Sequence, residues 1–159
     1  MTRIALPFFD GAEADDIIDE ATSIDPAERD RLRAAFLTLG KDARLAASPH
    51  VYAYYRDVHH MIGGEDWLDE EMGIPQTDAE IWNHVSPRAI MLMRKGDTHY
   101  AVIEADCDWE EEHGLCLSFR DGTELVYCGP FDGHPTNSDT VEPGVIYNAS
   151  DPAFTTRTT

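Results

Sequence analysis

The sequence predicts an α+β fold in which N-terminal helices pack on a C-terminal antiparallel β-meander of about four strands. In the first half, apolar residues recur every three or four positions, which is the helical period. After Pro87, apolar and polar residues alternate, and turn signals separate the runs, as is typical of antiparallel strands. The chain has 159 residues, of which 42% are hydrophobic, enough for one domain with a hydrophobic core. We therefore expect a single domain over residues 1–159, with a helical half at about 12–72, a sheet half at about 80–137 and an irregular tail at 138–159.

The chain is predicted to begin with one short strand, followed by helices. Residues 3–9 are apolar enough for a strand, and the turn signal Asp10-Gly11 follows them. Residues 12–21 mix two isoleucines with acidic residues, which predicts a short helix. A stronger helix start lies at residues 25–28, where an aspartate can cap the helix, a proline suits its first position and a glutamate completes a capping box.

The next helices are predicted from their apolar faces and start signals. The helix that begins at residue 25 carries Leu32, Phe36 and Leu39 on one face, and Gly40 is placed to end it. Ser48-Pro49 repeats the start signal. The apolar stripe of the following helix consists of Val51, Tyr55, Val58 and Ile62.

A short acidic segment separates these helices from the strands. Residues 65–72 predict a turn or a short helix. Residues 77–80 match a capping box, but residues 81–85 could equally begin a strand, so both alternatives stay open. The strands that follow are separated by an acidic segment and by turns such as Lys95-Gly96-Asp97 and Asp121-Gly122. The four predicted strands lie at 89–94, 99–104, 115–119 and 125–128.

Net charge is the strongest global feature of the chain. Thirty-one acidic residues stand against twelve basic ones, which gives a formal net charge of −19 at pH 7. This charge repels the phosphates of nucleic acids and of anionic membranes, so we expect neither as a partner. It attracts basic proteins and speeds their association at low salt. The acidity could equally serve the solubility of the surface, or reflect a salt-adapted host whose proteins are generally acidic.

The chain is expected to be cytoplasmic. Its apolar runs are too short to cross a membrane, and its first seven residues lack the apolar core of a signal peptide. Its three cysteines are an odd number, which favours reduced thiols over disulfides.

Four residues of the sheet half are candidate metal ligands: His84, His113, His134 and Asp132. Imidazole and carboxylate groups are common ligands, and all four lie near predicted turns. Their spacing is unspecific, and each could equally hydrogen-bond within its own turn. Cys107 and His113 could form a thiol–imidazole pair, but a cysteine at a strand end is more often buried and inert. The sequence contains neither a Gly-x-Ser-x-Gly nucleophile motif nor a phosphate-binding glycine-rich loop, and we expect no cofactor.

A protein-binding surface is predicted at two acidic segments that contain tryptophan. One lies within residues 105–123 and is expected to connect two strands; the other lies within residues 65–72. A tryptophan packed in the core with one edge in water is the default, but an exposed one ringed by acids would suit a hot spot for a basic partner. The candidate contact residues are Trp109, Glu110, Glu111, Glu112, Trp67 and Asp69.

Three words of the sequence resemble those of an uncharacterised family of bacterial domains. They are Ile-Trp-x-His-Val at 81–85, Cys-x-Trp-x-x-Glu-His-Gly-Leu at 107–115 and Asp-Gly-His-x-Thr-Asn at 132–137. The resemblance covers roughly residues 51–137. It implies a small cytoplasmic protein, and some proteins of this kind are immunity proteins found beside toxins. It implies no reaction and assigns no catalytic residue.

Three functions are therefore open. The first is a protein-binding domain, such as an immunity-type inhibitor of a basic toxin nuclease. The second is a small enzyme or metal-binding module that uses His84, His113, His134 and Asp132. The third is a structural domain whose acidity reflects only its host.

Overall fold

The computed structural model describes residues 2–17, 24–63 and 66–158. Its strands are β1 (Thr2–Leu6), β2 (Ala12–Ile17), β3 (Val85–Lys95), β4 (Thr98–Cys107), β5 (Leu115–Arg120), β6 (Glu124–Gly129), β7 (Val145–Tyr147) and β8 (Thr156–Arg157). Its α-helices are α1 (Pro26–Phe36), α2 (Lys41–Met61) and α3 (Asp66–Met72), and a 3₁₀ helix spans Asp78–His84.

Strands β1 to β6 form one sheet in chain order, and β7 pairs with β8. Neighbours in the sheet are antiparallel except β2 and β3, which are parallel. The helices lie within the long connection that a parallel pair requires. The α+β class is confirmed, and β3 to β6 form the expected four-stranded antiparallel meander. The expected order, with the helices before the sheet, is not confirmed: instead of one short strand, the hairpin β1–β2 precedes α1 and joins the sheet through the β2–β3 pair.

The helix predicted at residues 12–21 is wrong, because β2 occupies its first six residues; its last four lie outside the described part of the chain. Two ion pairs explain why an acidic segment can form a strand here. Arg3 Nη1 lies 3.0 Å from Asp15 Oδ1 on the neighbouring strand, and Arg33 Nε of α1 lies 2.9 Å from Asp16 Oδ2. Asp15 and Asp16, two of the acids that suggest a solvated helix, are therefore paired with arginines distant in sequence.

Helix α2 begins earlier than the sequence predicts. The start signal Ser48-Pro49 lies inside it, and Gly40 precedes its first residue. The buried Ser48 hydroxyl donates to the Arg44 carbonyl at 3.2 Å and accepts from Trp82 Nε1 at 2.9 Å. Ser48 therefore joins α2 to the 3₁₀ helix instead of capping a new helix. We attribute the continuation through Pro49 to packing of the buried face, which outweighs one missing backbone hydrogen bond.

Helices begin at both of the other predicted starts, but only the second forms its complete capping box. At the first, the Glu28 carboxylate contacts Arg31 and His99 and does not close the predicted box. Asp25 Oδ1 accepts from the Ala27 amide at 3.0 Å and caps α1. Thr77 and Glu80 form the capping box of the 3₁₀ helix, with Glu80 Oε2 accepting from the Thr77 amide at 2.9 Å. The segment left open between helix and strand is thus helical up to His84, and β3 begins at the next residue.

The β5–β6 turn packs closely against α1. Asp121 and Gly122 have φ angles of 51° and 87°, a conformation that suits glycine best. A Cβ on Gly122 would lie 2.8 Å from both Ala35 Cβ and the Leu32 carbonyl oxygen. The glycine therefore serves both the turn and the contact between helix and sheet.

Apolar clusters lie on both faces of the sheet. Ala101 and Ile103 of β4 belong to the large core shared with the helices, whereas Tyr100 and Val102 belong to a smaller cluster. Because successive residues of a strand face opposite sides, the two clusters lie on opposite faces. Phe131, from the loop after β6, packs on the smaller cluster.

One buried carboxylate fastens the C-terminal segment to α2. Asp57 is fully buried, and its Oδ2 accepts from the Tyr147 hydroxyl at 2.6 Å and from the Ser150 amide at 2.7 Å. Its Oδ1 accepts from the Asp151 amide at 3.1 Å. Burial and the hydrogen bond to Asp57 raise the pKa of the Tyr147 hydroxyl, which therefore stays protonated and can donate. The predicted irregular tail thus contains a strand pair, a 3₁₀ helix at Pro152–Phe154 and a fixed attachment point.

Candidate protein-interaction surface

The acidic connection between β4 and β5 is a compact turn whose tryptophan faces inward. Trp109 is only 4% exposed, and its ring centroid lies 5.5 Å from that of Tyr54 and 6.1 Å from that of Tyr55. The Tyr54 hydroxyl donates to the Gly114 carbonyl at 2.9 Å, which holds the end of the turn against α2. The prediction that Trp109 is a surface contact is therefore corrected: aromatic packing places this ring in the core.

The three glutamates after Trp109 have different environments. Glu110 is 24% exposed, and its Oε2 accepts from the His113 amide at 2.6 Å and lies 3.1 Å from His113 Nδ1. Glu110 thus closes the turn. Glu111 and Glu112 are exposed. Of the glutamates predicted as contacts in this segment, these two remain candidates for a contact surface.

Three of the four predicted metal ligands, His84, His113 and Asp132, have side chains engaged in local contacts. His84 Nδ1 lies 3.0 Å from Asp108 Oδ2, and His113 pairs with Glu110. Asp132 Oδ1 accepts from the His134 backbone amide at 3.0 Å. In the described part of the chain, no three of the four place ligand atoms around one common point. This geometry gives no support to the predicted four-residue site.

A different group of possible ligands occurs in the β4–β5 turn. Ligand atoms of Glu110, Glu112 and His113 all lie within 4.8 Å of one another. Two of these side chains are exposed, and Glu110 already bonds His113. The cluster is explained by the turn itself.

The cysteines offer no activated nucleophile. All three are buried and unpaired. Burial raises the pKa of the Cys107 thiol to about 12, and its Sγ donates to the Glu110 carbonyl at 3.4 Å. His113 is directed to the Glu110 carboxylate instead, so the thiol–imidazole pair considered from the sequence is not formed.

Helix α3 has one buried and one exposed side. Leu68 and Met72 are buried, whereas Trp67 is 51% exposed. Two exposed glutamates stand three and four residues after Trp67 and therefore share its side of the helix. Ile74, just beyond the helix, is 61% exposed. We call the exposed residues Trp67, Glu70, Glu71 and Ile74 the α3 face.

The α3 face borders a groove between α3 and α2. Asp69 Oδ1 lies 2.9 Å from His59 Nε2, a contact that joins the two helices. Asp69, which the sequence predicts as a partner contact, is only 24% exposed, and its carboxylate is already engaged by His59. The groove has a volume of about 530 Å³, and its apolar walls include Tyr52, Tyr55, Phe154 and Ile74.

The sequence prediction identified Trp67 but missed the rest of the α3 face. The spacing of Trp67, Glu70 and Glu71 contains the signal, since residues at i, i+3 and i+4 share one side of a helix. Leu68 and Met72, four residues apart, mark the buried side. Ile74 carries no such signal, because its exposure depends on how the loop leaves the helix.

Among the described helices, none is both long and apolar enough to cross a bilayer.

Residues 2–135 match the model of DUF6985, a domain of unknown function, so the chain belongs to this family. No curated protein and no solved structure matches the chain. Membership of an uncharacterised family, expected from the three sequence words, is confirmed. The matched region also includes the N-terminal fifty residues, which lie outside the resemblance noted from the sequence.

Proposed function

We propose that this chain is an acidic protein-binding domain and that its partner is a basic protein held at the α3 face. The observation that carries the proposal is the exposure of Trp67 and Ile74 beside exposed glutamates. Among the described residues, the exposed large apolar side chains are Leu45, Met61, Trp67 and Ile74, and three of them fall within residues 61–74. Isolated exposed apolar residues are common, but this concentration favours a contact surface.

The chemistry of the α3 face suits a partner with apolar and cationic groups. Tryptophan is enriched among the residues that dominate binding energy at interfaces. Glu70 and Glu71 can pair with lysine or arginine around it. The net charge of −19 adds long-range attraction, which should accelerate association at low salt. The exposed Glu111 and Glu112 form a second, purely acidic surface that can contribute to this attraction.

We further propose an immunity-type role, in which the protein blocks a basic toxin such as a nuclease. A nuclease binds phosphates through a cationic site, and a surface rich in carboxylates is complementary to such a site. The resemblance of the sequence words to a bacterial family that includes immunity-like proteins supports this role. A cytoplasmic location in a bacterium belongs to the same proposal, and the three unpaired cysteines favour a reducing compartment.

The test uses purified partners and two matched charge reversals. Candidate partners are the product of the neighbouring gene and proteins that co-purify from the source cell, each then produced alone and titrated by calorimetry at about 50 mM and about 300 mM salt. We expect the higher salt to weaken binding, and Trp67→Ala and the double variant Glu70→Lys/Glu71→Lys to weaken it by at least about tenfold.

The control is Glu111→Lys/Glu112→Lys, which changes the net charge equally at a different place. If this control weakens binding as much as the α3 variant, overall charge and not the α3 face carries recognition. If no basic partner binds, or if binding ignores both salt and Trp67, the proposal fails. For a nuclease partner, loss of nuclease activity at one equivalent of protein would establish the immunity role.

A further inference from the structure

A second groove lies at two of the molecule's few cations. It is formed by the β3–β4 turn and the loop after β6, and its volume is about 880 Å³. Sites for small molecules usually measure about 300–1,000 Å³. One wall contains Arg94, Lys95 and Gly96, the opposite wall is residues 132–139, and Met93 adds apolar surface.

The two walls are fastened to each other. Lys95 Nζ donates to Thr136 Oγ1 at 2.7 Å and to Asp139 Oδ1 at 3.3 Å. Asn137 Nδ2 donates to the Val145 carbonyl at 2.9 Å, which ties the loop to β7. The groove is therefore bounded by contacts between the hairpin, the loop and the C-terminal segment.

Arg94 is the cation of this groove that lacks an acidic partner. Its Nε donates to the Gly96 carbonyl at 2.7 Å, which orients the guanidinium group. No carboxylate in the described ranges forms an ion pair with it, although the chain contains 31 acidic residues. The two acids of the groove have other contacts, since Asp139 pairs with Lys95 and Asp132 accepts from its own loop. The remaining N–H groups of Arg94 match the planar, two-point geometry of an oxyanion.

We propose that this groove binds a small molecule through an oxyanion, a phosphate or a carboxylate, that pairs with Arg94. The Thr136 hydroxyl accepts from Lys95 and keeps its own O–H to donate to a ligand. Met93 offers an apolar contact. This site is separate from the α3 face and does not depend on the protein-binding function.

Two anionic probes with neutral counterparts test the site. Phenyl phosphate and benzoate, compared with phenol and benzamide, are titrated into ¹⁵N-labelled protein at about 150 mM salt. We expect saturable shifts of the amides at residues 93–96 and in the opposite loop with at least one anion and with neither neutral compound. Whether phenyl phosphate or benzoate binds more tightly identifies the oxyanion.

Arg94→Gln should weaken binding by at least about tenfold, because it removes the paired charge. The matched control is Arg88→Gln, on the same strand and with the same change of charge; Arg88 is 57% exposed and lies near Glu104 and Asp106. The control should bind as the wild type does, and the spectrum of each variant verifies its fold. The proposal is overturned if neither anion gives saturable shifts up to about 10 mM, or if both variants weaken binding equally.

Discussion

Replacing Asp57 by asparagine tests whether one buried carboxylate holds the C-terminal segment on α2. The substitution keeps the shape of the side chain but removes its charge. The amide oxygen can stay at the position of Oδ2 and accept from Tyr147 and Ser150. The amide nitrogen then faces the Asp151 N–H, so that two donors meet.

The expected loss follows from these three contacts. A hydrogen bond to a charged group contributes about 1.5–3 kcal/mol, and Asp57→Asn loses one such bond and weakens two. Part of this loss is offset. No cation in the described part of the chain pairs with Asp57, so its buried charge carries a desolvation cost, and the neutral asparagine removes that cost. We therefore expect the free energy of unfolding to fall by about 2 kcal/mol. This is a large share of the about 5–15 kcal/mol typical of a folded domain.

Urea unfolding followed by tryptophan fluorescence measures the loss, and amide hydrogen exchange localises it. In Asp57→Asn, the amides of Ser150 and Asp151 should lose protection by local opening of the C-terminal segment. The amides of β4 and β5 should lose only the protection that corresponds to the fall in the global free energy of unfolding. Glu111→Gln, an exposed site with the same change of charge, should leave stability within about 0.5 kcal/mol of the wild type. The reasoning is refuted if Asp57→Asn behaves like this control, or if Ser150 and Asp151 keep their protection.

Three further predictions concern packing, thiol chemistry and pH. Gly122→Ala should lower the free energy of unfolding in urea by at least about 2 kcal/mol, because the added Cβ would collide with α1. The control is Gly96→Ala, which is also at positive φ but has no atom within 4 Å of the added Cβ, and it should lower this free energy by only about 1 kcal/mol. Equal losses in the two variants would contradict the contact argument. The three buried cysteines should react with a thiol reagent at neutral pH only as fast as the protein unfolds. Burial raises the pKa of Cys107 and Cys116 to about 12 and also raises the pKa of Cys128, so little reactive thiolate is present in the folded protein. Rapid labelling of the native protein would show that the thiols are not buried in this way. Burial lowers the pKa of His50, so the unfolded chain takes up a proton at this residue at a higher pH than the folded chain does; the contribution to stability is fully present above the unfolded pKa of about 6.5 and is lost as the pH falls below it. Between about pH 8 and about pH 5.5, the free energy of unfolding of the wild type should therefore fall relative to that of His50→Gln. A difference between the two proteins that stays constant over this range would disprove the prediction.

The sequence predicts those parts of the fold whose signals are local. The meander follows from alternation and from turns such as Asp121-Gly122, and the start of α1 follows from its capping aspartate. Elements that depend on distant partners are mispredicted. The acidic segment β2 can form a strand because arginines from β1 and α1 pair with Asp15 and Asp16, and α2 continues through Pro49 because its buried side is packed.

The same distinction applies to the candidate site. Residue type predicted tryptophan and glutamate as contacts, but type does not reveal direction. Trp109 and Trp67 both stand beside acids, yet Trp109 packs on two tyrosines of α2, whereas Trp67 lies on the outer side of α3. The direction of Trp109 depends on which helix covers its turn, whereas the direction of Trp67 follows from its spacing to Leu68 and Met72 once the segment is known to be a helix. The groove at Arg94 is likewise beyond sequence reasoning, since its walls come from segments about forty residues apart.

Acidity alone cannot distinguish a binding surface from a solvated one, because both place carboxylates in water. The two kinds of surface differ in what accompanies the carboxylates. A surface shaped only by solubility or by a salty environment has no use for exposed tryptophan and isoleucine, which lower solubility. On the α3 face, Trp67 and Ile74 are exposed together with Glu70 and Glu71, whereas the β4–β5 turn exposes two glutamates and buries its tryptophan. The exposed acids of that turn, Glu111 and Glu112, are therefore explained by solvation, and the apolar residues of the α3 face are the feature on which the proposed partner rests.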